Sequence, residues 1–243
     1  MGSFAAFNDL DFESVEVING PASSLYGPNA FNGVSSITTR DPFEYPGLSA
    51  NVKTGFNLTG AAGTTPYPLV EAAVRYARPV NNRLAFKLTA SVLRATDWWA
   101  TNTADMTDYS RYPPLPQGLV YNGTNVYGDE FVGRFGGLPV ARTGYPEMQL
   151  RDKGLSLANP SASVVYRLTP ETRLTVLGRF AVGTGVYLAD ARYYLNNFQY
   201  HQAKAELTGK HYFVRAYLNA ENAGPRSSNF NRLALLLNQS ARS

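Results

Sequence analysis

The sequence predicts an all-β fold: antiparallel transmembrane β-barrel strands that follow a short mixed segment of strand and helix. Three observations support this prediction. In seven stretches after residue 46, residues of one parity are apolar and those of the other are polar. These stretches reach about 10 residues, close to the roughly 9 to 11 that cross a tilted bilayer. The links between them alternate strictly between short and long, as in barrels of the bacterial outer membrane.

Composition agrees with this prediction and excludes other classes. Charged residues make up only 16% of the 243 residues and aromatic residues 13%, whereas soluble domains average about 25% charged residues. The net charge is +4, but the 22 Lys and Arg are scattered singly, so no nucleic-acid partner is expected. The absence of cysteine excludes a disulfide framework. No stretch approaches the roughly 18 apolar residues of a membrane helix, whereas alternating barrel strands keep the hydropathy mild.

Two prolines, Pro42 and Pro46, mark a boundary because proline interrupts regular strand pairing. We therefore divide the chain into residues 1–46 and 47–243. The first part contains β-like runs over 14–18 and 33–39 and a helical turn over 22–26. Pro21 suits the first position of that turn, and Gly27 suits its end.

The second part consists of period-two strands. In one of them Leu84, Phe86 and Leu88 alternate with Lys87 and Thr89. The predicted strands cover 48–58, 70–76, 83–92, 161–168, 173–182, 198–208 and 211–222, and an eighth begins near Phe230. The short links are 79–82, 169–171 and 209–210, and the long links are 59–66, 99–155 and 187–197. Short turns belong to the periplasmic rim, so the first strand starts there, on the side of residues 1–46.

The run from Val15 to Arg40, VEVINGPASSLYGPNAFNGVSSITTR, closely resembles the end of the plug domain in TonB-dependent outer-membrane receptors. The resemblance spans about 25 positions and is specific, although it covers little of the chain. A weaker similarity links Tyr121–Glu130 to an outer loop of such receptors from Bacteroidetes-type bacteria. The plug-motif residues that carry the resemblance are Gly20, Pro21, Tyr26, Gly27, Asn32 and Gly33.

The resemblance implies that residues 1–46 are the C-terminal part of an α+β plug domain and that 47–243 are the first seven or eight of roughly 22 barrel strands. It also implies energised uptake of a scarce nutrient, a siderophore, cobalamin, glycan or peptide, across the outer membrane of a Gram-negative bacterium. The implied partners are the TonB energy-transducing complex, outer-membrane lipid, the nutrient ligand and a surface lipoprotein. No cofactor is implied.

The chain departs from this family in lacking a signal peptide, the TonB-recruiting half of the plug and about two thirds of the strands. We therefore expect a fragment that is inactive alone. The alternatives are a small self-closed outer-membrane barrel, acting as an adhesin or structural protein, and an outer-membrane enzyme. An eight-stranded lumen has no room for a plug. No catalytic or metal-binding residue is predicted, because His201 and His211 lie on different strands and Ser23-Ser24 lacks a G-x-S-x-G elbow.

Three groups of residues are functional candidates. Trp98 and Trp99 are predicted membrane-interface anchors, with ligand stacking as the alternative. The external loop 99–155 either binds ligand or folds on itself, and its candidates are Tyr109, Tyr112, Tyr121, Tyr127, Asp129, Glu130 and Arg134. Eight cations share the polar parity: Lys53, Arg75, Arg83, Lys87, Arg167, Arg173, Arg179 and Arg215. They form either a conduit for an anionic ligand or, as the favoured interpretation, pairs with plug carboxylates such as Asp9, Asp11, Glu13 and Glu16.

Overall fold

The computed structural model describes residues 8–26, 30, 32–57, 66–108, 119–130, 132–152, 154–188 and 191–240. Within those ranges no helix has the length and apolar character needed to cross a membrane. The first part of the chain begins with a single 3-10 turn, Asp9–Asp11, and continues with a small hairpin. Its elements are β1 (Phe12–Asn19), the helical turn α1 (Ser23–Tyr26) and β2 (Gly33–Thr39). The predicted runs and helical turn are thus confirmed.

The strands after residue 46 form one large antiparallel sheet and several small pairs in a loop. The sheet begins with β3 (Gly47–Asn57), β4 (Tyr67–Pro79) and β5 (Leu84–Thr96). The loop strands are β6 (Val126–Tyr127), β7 (Val132–Phe135), β8 (Leu138–Ala141) and β9 (Tyr145–Pro146). The sheet resumes with β10 (Gly154–Ala158), β11 (Ser161–Arg167), β12 (Arg173–Leu188), β13 (Arg192–Thr208), β14 (Phe213–Asn222) and the short β15 (Ser228–Asn229).

The sheet runs in the order β14-β13-β12-β10-β5-β4-β3. β10 and β11 follow each other end to end in one strand position between β5 and β12, and Asn159 and Pro160 separate them. Proline has no backbone N–H to donate, so the ladder is interrupted there. The seven predicted strands are therefore present as an antiparallel sheet. Among the described residues β3 pairs only with β4 and β14 only with β13, so the sheet has two unpaired edges.

One predicted long link is wrong. Residues 187–197 were expected to form a loop, but β12 and β13 continue through most of them and only 189–191 separate the two strands. The pairing register shifts between Gly183 and Gly185, opposite Asn197, whose φ of 55° is left-handed. The Asn197 N–H donates to Thr184 Oγ1 at 3.0 Å. A β-bulge thus accommodates the extra residue of β13 within the ladder.

The predicted eighth strand near Phe230 is also wrong, because this segment forms the helix α2 (Phe230–Ser240). Phe230 and Ala234 are buried, whereas Arg232 midway between them is exposed, so burial recurs at every fourth residue, as on a helical face, and not at every second, as in a strand. The Asn229 side chain accepts a hydrogen bond of 2.8 Å from the Arg232 N–H and so caps the first turn.

Burial on the large sheet is the reverse of that in a water-soluble protein. One face carries apolar side chains that are 39% to 71% exposed. These include Leu48, Val52, Phe56, Val70, Val74, Leu88, Val92, Val164 and Val176. The other face carries polar side chains that are buried, among them Arg75, Lys87, Thr89, Ser91 and Ser163. The 3-10 turn and the segment around Asp41 pack against this polar face.

Candidate functional site

The polar face of the sheet binds the N-terminal segment through a buried ion-pair cluster. Asp11 Oδ1 accepts from Arg75 Nε at 3.0 Å and lies 2.8 Å from Lys87 Nζ. Arg75 is 2% exposed and Lys87 5%. The two cations also donate to backbone carbonyls, Arg75 to that of Tyr45 and Lys87 to that of Arg40. These acceptors offset part of the cost of burying the two charges, although the buried Arg75 Nη2 has no hydrogen-bond partner.

Further contacts extend this interface along the sheet. Lys53 donates to Asp9, and this bond lowers the pKa of the Asp9 carboxyl below its ordinary value. Arg173 Nη1 donates to Asp41 Oδ2 at 2.9 Å. The Arg167 guanidinium lies 3.8 Å from the centre of the Phe43 ring.

Three of the polar-parity cations, Lys53, Arg75 and Lys87, pair with Asp9 and Asp11, as the favoured interpretation expected. The assignment of these two carboxylates to a plug stays a prediction. Glu13 and Glu16 lie exposed on β1 instead. Of the remaining cations, Arg179 contacts the Gln202 amide oxygen and Arg215 pairs with Glu206, so both bond within the sheet. Arg83 precedes β5 and is exposed.

The plug-motif residues shape the hairpin between β1 and β2. Gly20 has φ +94° and Gly33 has φ +137°, values that L side chains rarely adopt. A Cβ on Gly33 would lie 2.7 Å from the Ile18 carbonyl oxygen, so the close pairing of β1 and β2 requires glycine there. Pro21 precedes α1, Tyr26 ends it with an exposed ring, and Asn32 directly precedes β2. Gly27 lies outside the described residues.

A second buried ionic cluster holds the long loop to the sheet. The carboxylate of Glu147, which is 0% exposed, accepts from Arg151 Nη2 at 2.7 Å and from Arg192 Nη2 at 2.9 Å. Arg151 also donates to Asp97 Oδ2 and to the Trp98 carbonyl. The cluster therefore joins the end of β5, the loop and the start of β13.

The two tryptophans lie beside this cluster. Arg192 lies 5.7 Å from the centre of the Trp98 ring, which is exposed, and Trp99 is half-buried. Their role as membrane-interface anchors stays a prediction. The Glu147 cluster has only one sequence signal, the four-residue spacing of Glu147 and Arg151; the third member, Arg192, is remote in sequence.

The loop contains a cavity of about 260 Å³, the loop cavity. It brings together three of the predicted ligand residues, Tyr121, Asp129 and Glu130. Thr107 and Asn122 add polar groups to its wall, and Met106, Val120 and Val132 add apolar ones. The Tyr121 hydroxyl donates to the Thr103 carbonyl at 2.5 Å, which holds this side chain in place.

Asp129 is the most buried member of the loop cavity, at 0% exposed. Its Oδ2 accepts from the Gly123 N–H at 2.7 Å, whereas its Oδ1 has no hydrogen-bond partner. Burial raises the pKa of the Asp129 carboxyl above its ordinary value, because the charged form loses its hydration. Glu130 is exposed, and its Oε2 accepts from the Gly128 N–H at 2.9 Å.

The other predicted loop residues are not in the cavity. Tyr127 stacks on Phe230 of α2, with ring centres 5.0 Å apart, and burial raises the pKa of its hydroxyl. Arg134 is exposed on β7. Tyr109 and Tyr112 lie outside the described residues.

The sequence did not predict that α2 packs on the loop. Gly128, with φ +89°, permits the approach, since a Cβ there would lie 3.0 Å from the Ala234 Cβ. The Tyr145 hydroxyl is 3.2 Å from the Asn238 amide oxygen and adds a polar contact. The loop thus folds partly on itself and partly against α2.

Among the residues that the structure describes, no cluster of three or more acidic or histidine side chains is arranged to hold a metal ion. His201 packs on Phe180, with ring centres 4.8 Å apart. No protein-family model matches the chain, and no curated protein matches it.

Proposed function

We propose that this chain forms the end of the plug and the first barrel strands of a TonB-dependent receptor in the outer membrane of a Gram-negative bacterium. Such a receptor takes up a scarce nutrient, and the long loop with its cavity belongs to its external surface. The plug motif around Gly20 and Gly33 supports the family. The exposed apolar face of the large sheet supports a location in the membrane.

The observation that carries the proposal is the reversed burial of the large sheet. Val52 is 70% exposed and Phe56 71%, whereas Arg75 and Lys87 on the opposite face are almost fully buried. An apolar face of this extent is unfavourable in water and favourable in hydrocarbon. The polar face instead meets the charged N-terminal segment, as a barrel wall facing an internal plug would.

The two sheet edges favour a larger barrel over a small self-closed one. In hydrocarbon each unpaired backbone N–H or C=O costs several kcal/mol. The edge strands β3 and β14 therefore need further strands beside them, and the N-terminal segment already covers part of the polar face that a small barrel would fill with side chains.

Single-cysteine labelling tests the membrane setting, and the cysteine-free sequence makes each variant uniquely reactive. Val52→Cys and Val176→Cys place a spin label on the apolar face, and Asn51→Cys and Thr175→Cys are matched controls one residue away on the polar face. In outer-membrane vesicles we expect the first pair to be accessible to oxygen and shielded from a water-soluble nickel chelate. Free access of the nickel chelate to the labels at Val52→Cys and Val176→Cys would refute the membrane setting.

The receptor function is tested in the bacterium that encodes the chain. We expect disruption of the gene to abolish energised uptake of one member of a panel of ferric siderophores, cobalamin, glycans and peptides. Loss of TonB should abolish the same uptake. Uptake that persists without TonB would contradict the receptor proposal and would favour a passive barrel.

A further inference from the structure

We infer that the loop cavity binds a protonated amine of the ligand. This inference rests on the proposed receptor function and specifies the chemistry that its external loop recognises. It follows from the charge of the cavity wall, from the unpartnered Asp129 oxygen and from the size of the cavity.

The charge of the wall is the first argument. Asp129 and Glu130 both line the loop cavity, and none of its described lining residues is Lys, Arg or His. A cavity lined by one sign of charge concentrates ligand groups of the opposite sign. A cation is therefore favoured here, and an anionic ligand group is repelled.

Asp129 supplies the second argument. Its side chain is buried in the wall, and one carboxylate oxygen makes no hydrogen bond. Buried carboxylate oxygens normally accept hydrogen bonds, and an unmet acceptor is costly. An ammonium carries three donors and a positive charge, so one such group can bond to Asp129 and to a neighbouring acceptor at once.

Size and wall composition provide the third argument. The volume of about 260 Å³ lies below the roughly 300 to 1,000 Å³ of pockets that enclose a whole drug-sized ligand. The cavity therefore suits one head group with a short alkyl chain. Met106, Val120 and Val132 provide apolar contacts for such a chain, and Thr107 and Asn122 provide polar groups beside the charge.

Three five-carbon probes separate the possible ligand classes. Cadaverine carries two ammonium groups, pentanediol replaces them with hydroxyls, and glutarate replaces them with carboxylates. Isothermal titration calorimetry of the detergent-solubilised full chain should detect binding of cadaverine alone. Equal binding of pentanediol would overturn the inference in favour of a site for neutral hydroxyls, and binding of glutarate alone would overturn it in favour of an anion site.

Two variants connect binding to the cavity. We expect Asp129→Asn to weaken cadaverine binding about tenfold or more, because a charge-assisted hydrogen bond is lost. Glu130→Gln should weaken cadaverine binding less. Because Glu130 is exposed, this variant keeps the loop folded and tests the cavity even if Asp129→Asn unfolds the loop. Glu171→Gln, an exposed carboxylate in the turn at the opposite end of the sheet, is the matched control and should leave binding unchanged.

An unchanged affinity in both cavity variants, or equal weakening in the control, would overturn the inference. Spin-label accessibility does not depend on amine binding. An apolar face embedded in membrane together with an absence of cadaverine binding would therefore remove this inference and leave the proposed function standing.

Discussion

The Asp11 carboxylate lies 3.0 Å from the Arg75 guanidinium, and both side chains are almost completely buried between the N-terminal segment and the sheet. Lys87 shares the same carboxylate oxygen. One anion therefore neutralises two cations on two neighbouring strands.

Removing that anion should release the N-terminal segment. Asp11→Asn leaves two buried cations without a counter-charge, and breaking a buried ion pair costs about 3 to 5 kcal/mol. We expect faster hydrogen exchange of the backbone amides of 9–19, measured by mass spectrometry. Glu13→Gln changes an exposed carboxylate on the same segment and should leave the exchange unaltered. Similar exchange in both variants would argue against a locking role for Asp11.

Gly33 should be intolerant of any side chain. Gly33→Ala combines an unfavourable φ of +137° with a Cβ 2.7 Å from the Ile18 carbonyl oxygen. Strained backbone of this kind costs about 1 to 3 kcal/mol, and the steric contact adds to it. Gly20→Ala is the matched control because its φ is also positive but no atom lies within 4 Å of the added Cβ. Limited proteolysis of the hairpin should rank Gly33→Ala as more sensitive than Gly20→Ala; the reverse order would contradict this explanation.

Phe230 should hold α2 to the long loop. Its ring is 1% exposed and stacks on Tyr127, so Phe230→Ala removes a buried aromatic side chain at a cost of about 3 to 5 kcal/mol. We expect proteolytic cleavage within 230–240 to accelerate. Leu236→Ala, on the exposed side of the same helix, should cause little change. Equal acceleration in both variants would mean that the stacking contact does not hold the helix.

The stability of the loop should fall as pH rises, because of Asp129. Burial raises the pKa of this carboxyl in the folded loop above the ordinary value of 3.8. The neutral form is thus favoured on folding, so its contribution is complete below pH 3.8 and is lost as pH rises through the raised pKa. Thermal unfolding followed over this window should show a slope that Asp129→Asn reduces. An identical slope in the variant would assign the titration to another group.

Much of the sheet was predictable because its alternation is strong. In β5 the polar residues Lys87, Thr89 and Ser91 occupy one face, so a single strand reveals both the period and the side that is covered. The links were less predictable. Asn196 and Asn197 were expected within the long link 187–197, yet hydrogen bonds to Thr184 and Ser227 incorporate them into a bulged ladder.

The C-terminal helix was missed although its signals were present. Asn229 is a good capping residue, and Phe230, Leu233, Ala234 and Leu237 follow helical spacing. The same segment follows seven period-two strands, and its apolar residues are too short a run for periodicity alone to separate a strand from a helix. The candidate site was predictable only in part. Tyr121, Asp129 and Glu130 are close in sequence and meet in one cavity. In contrast, Arg192, which pairs with Glu147, and Phe230, which stacks on Tyr127, come from remote segments that local patterns do not connect.

The reversed burial of the large sheet also determines which substitutions the chain tolerates in the proposed membrane setting. In a soluble protein, exposed positions such as that of Val52 readily accept polar residues, and most buried positions favour apolar ones. Here the exposed positions are constrained to stay apolar, and the buried positions must keep their hydrogen-bonding groups. Substitutions that persist in this sheet should therefore keep polar residues on the buried face and apolar residues on the exposed face. A map of mutational tolerance would show the opposite pattern to that of a water-soluble sheet.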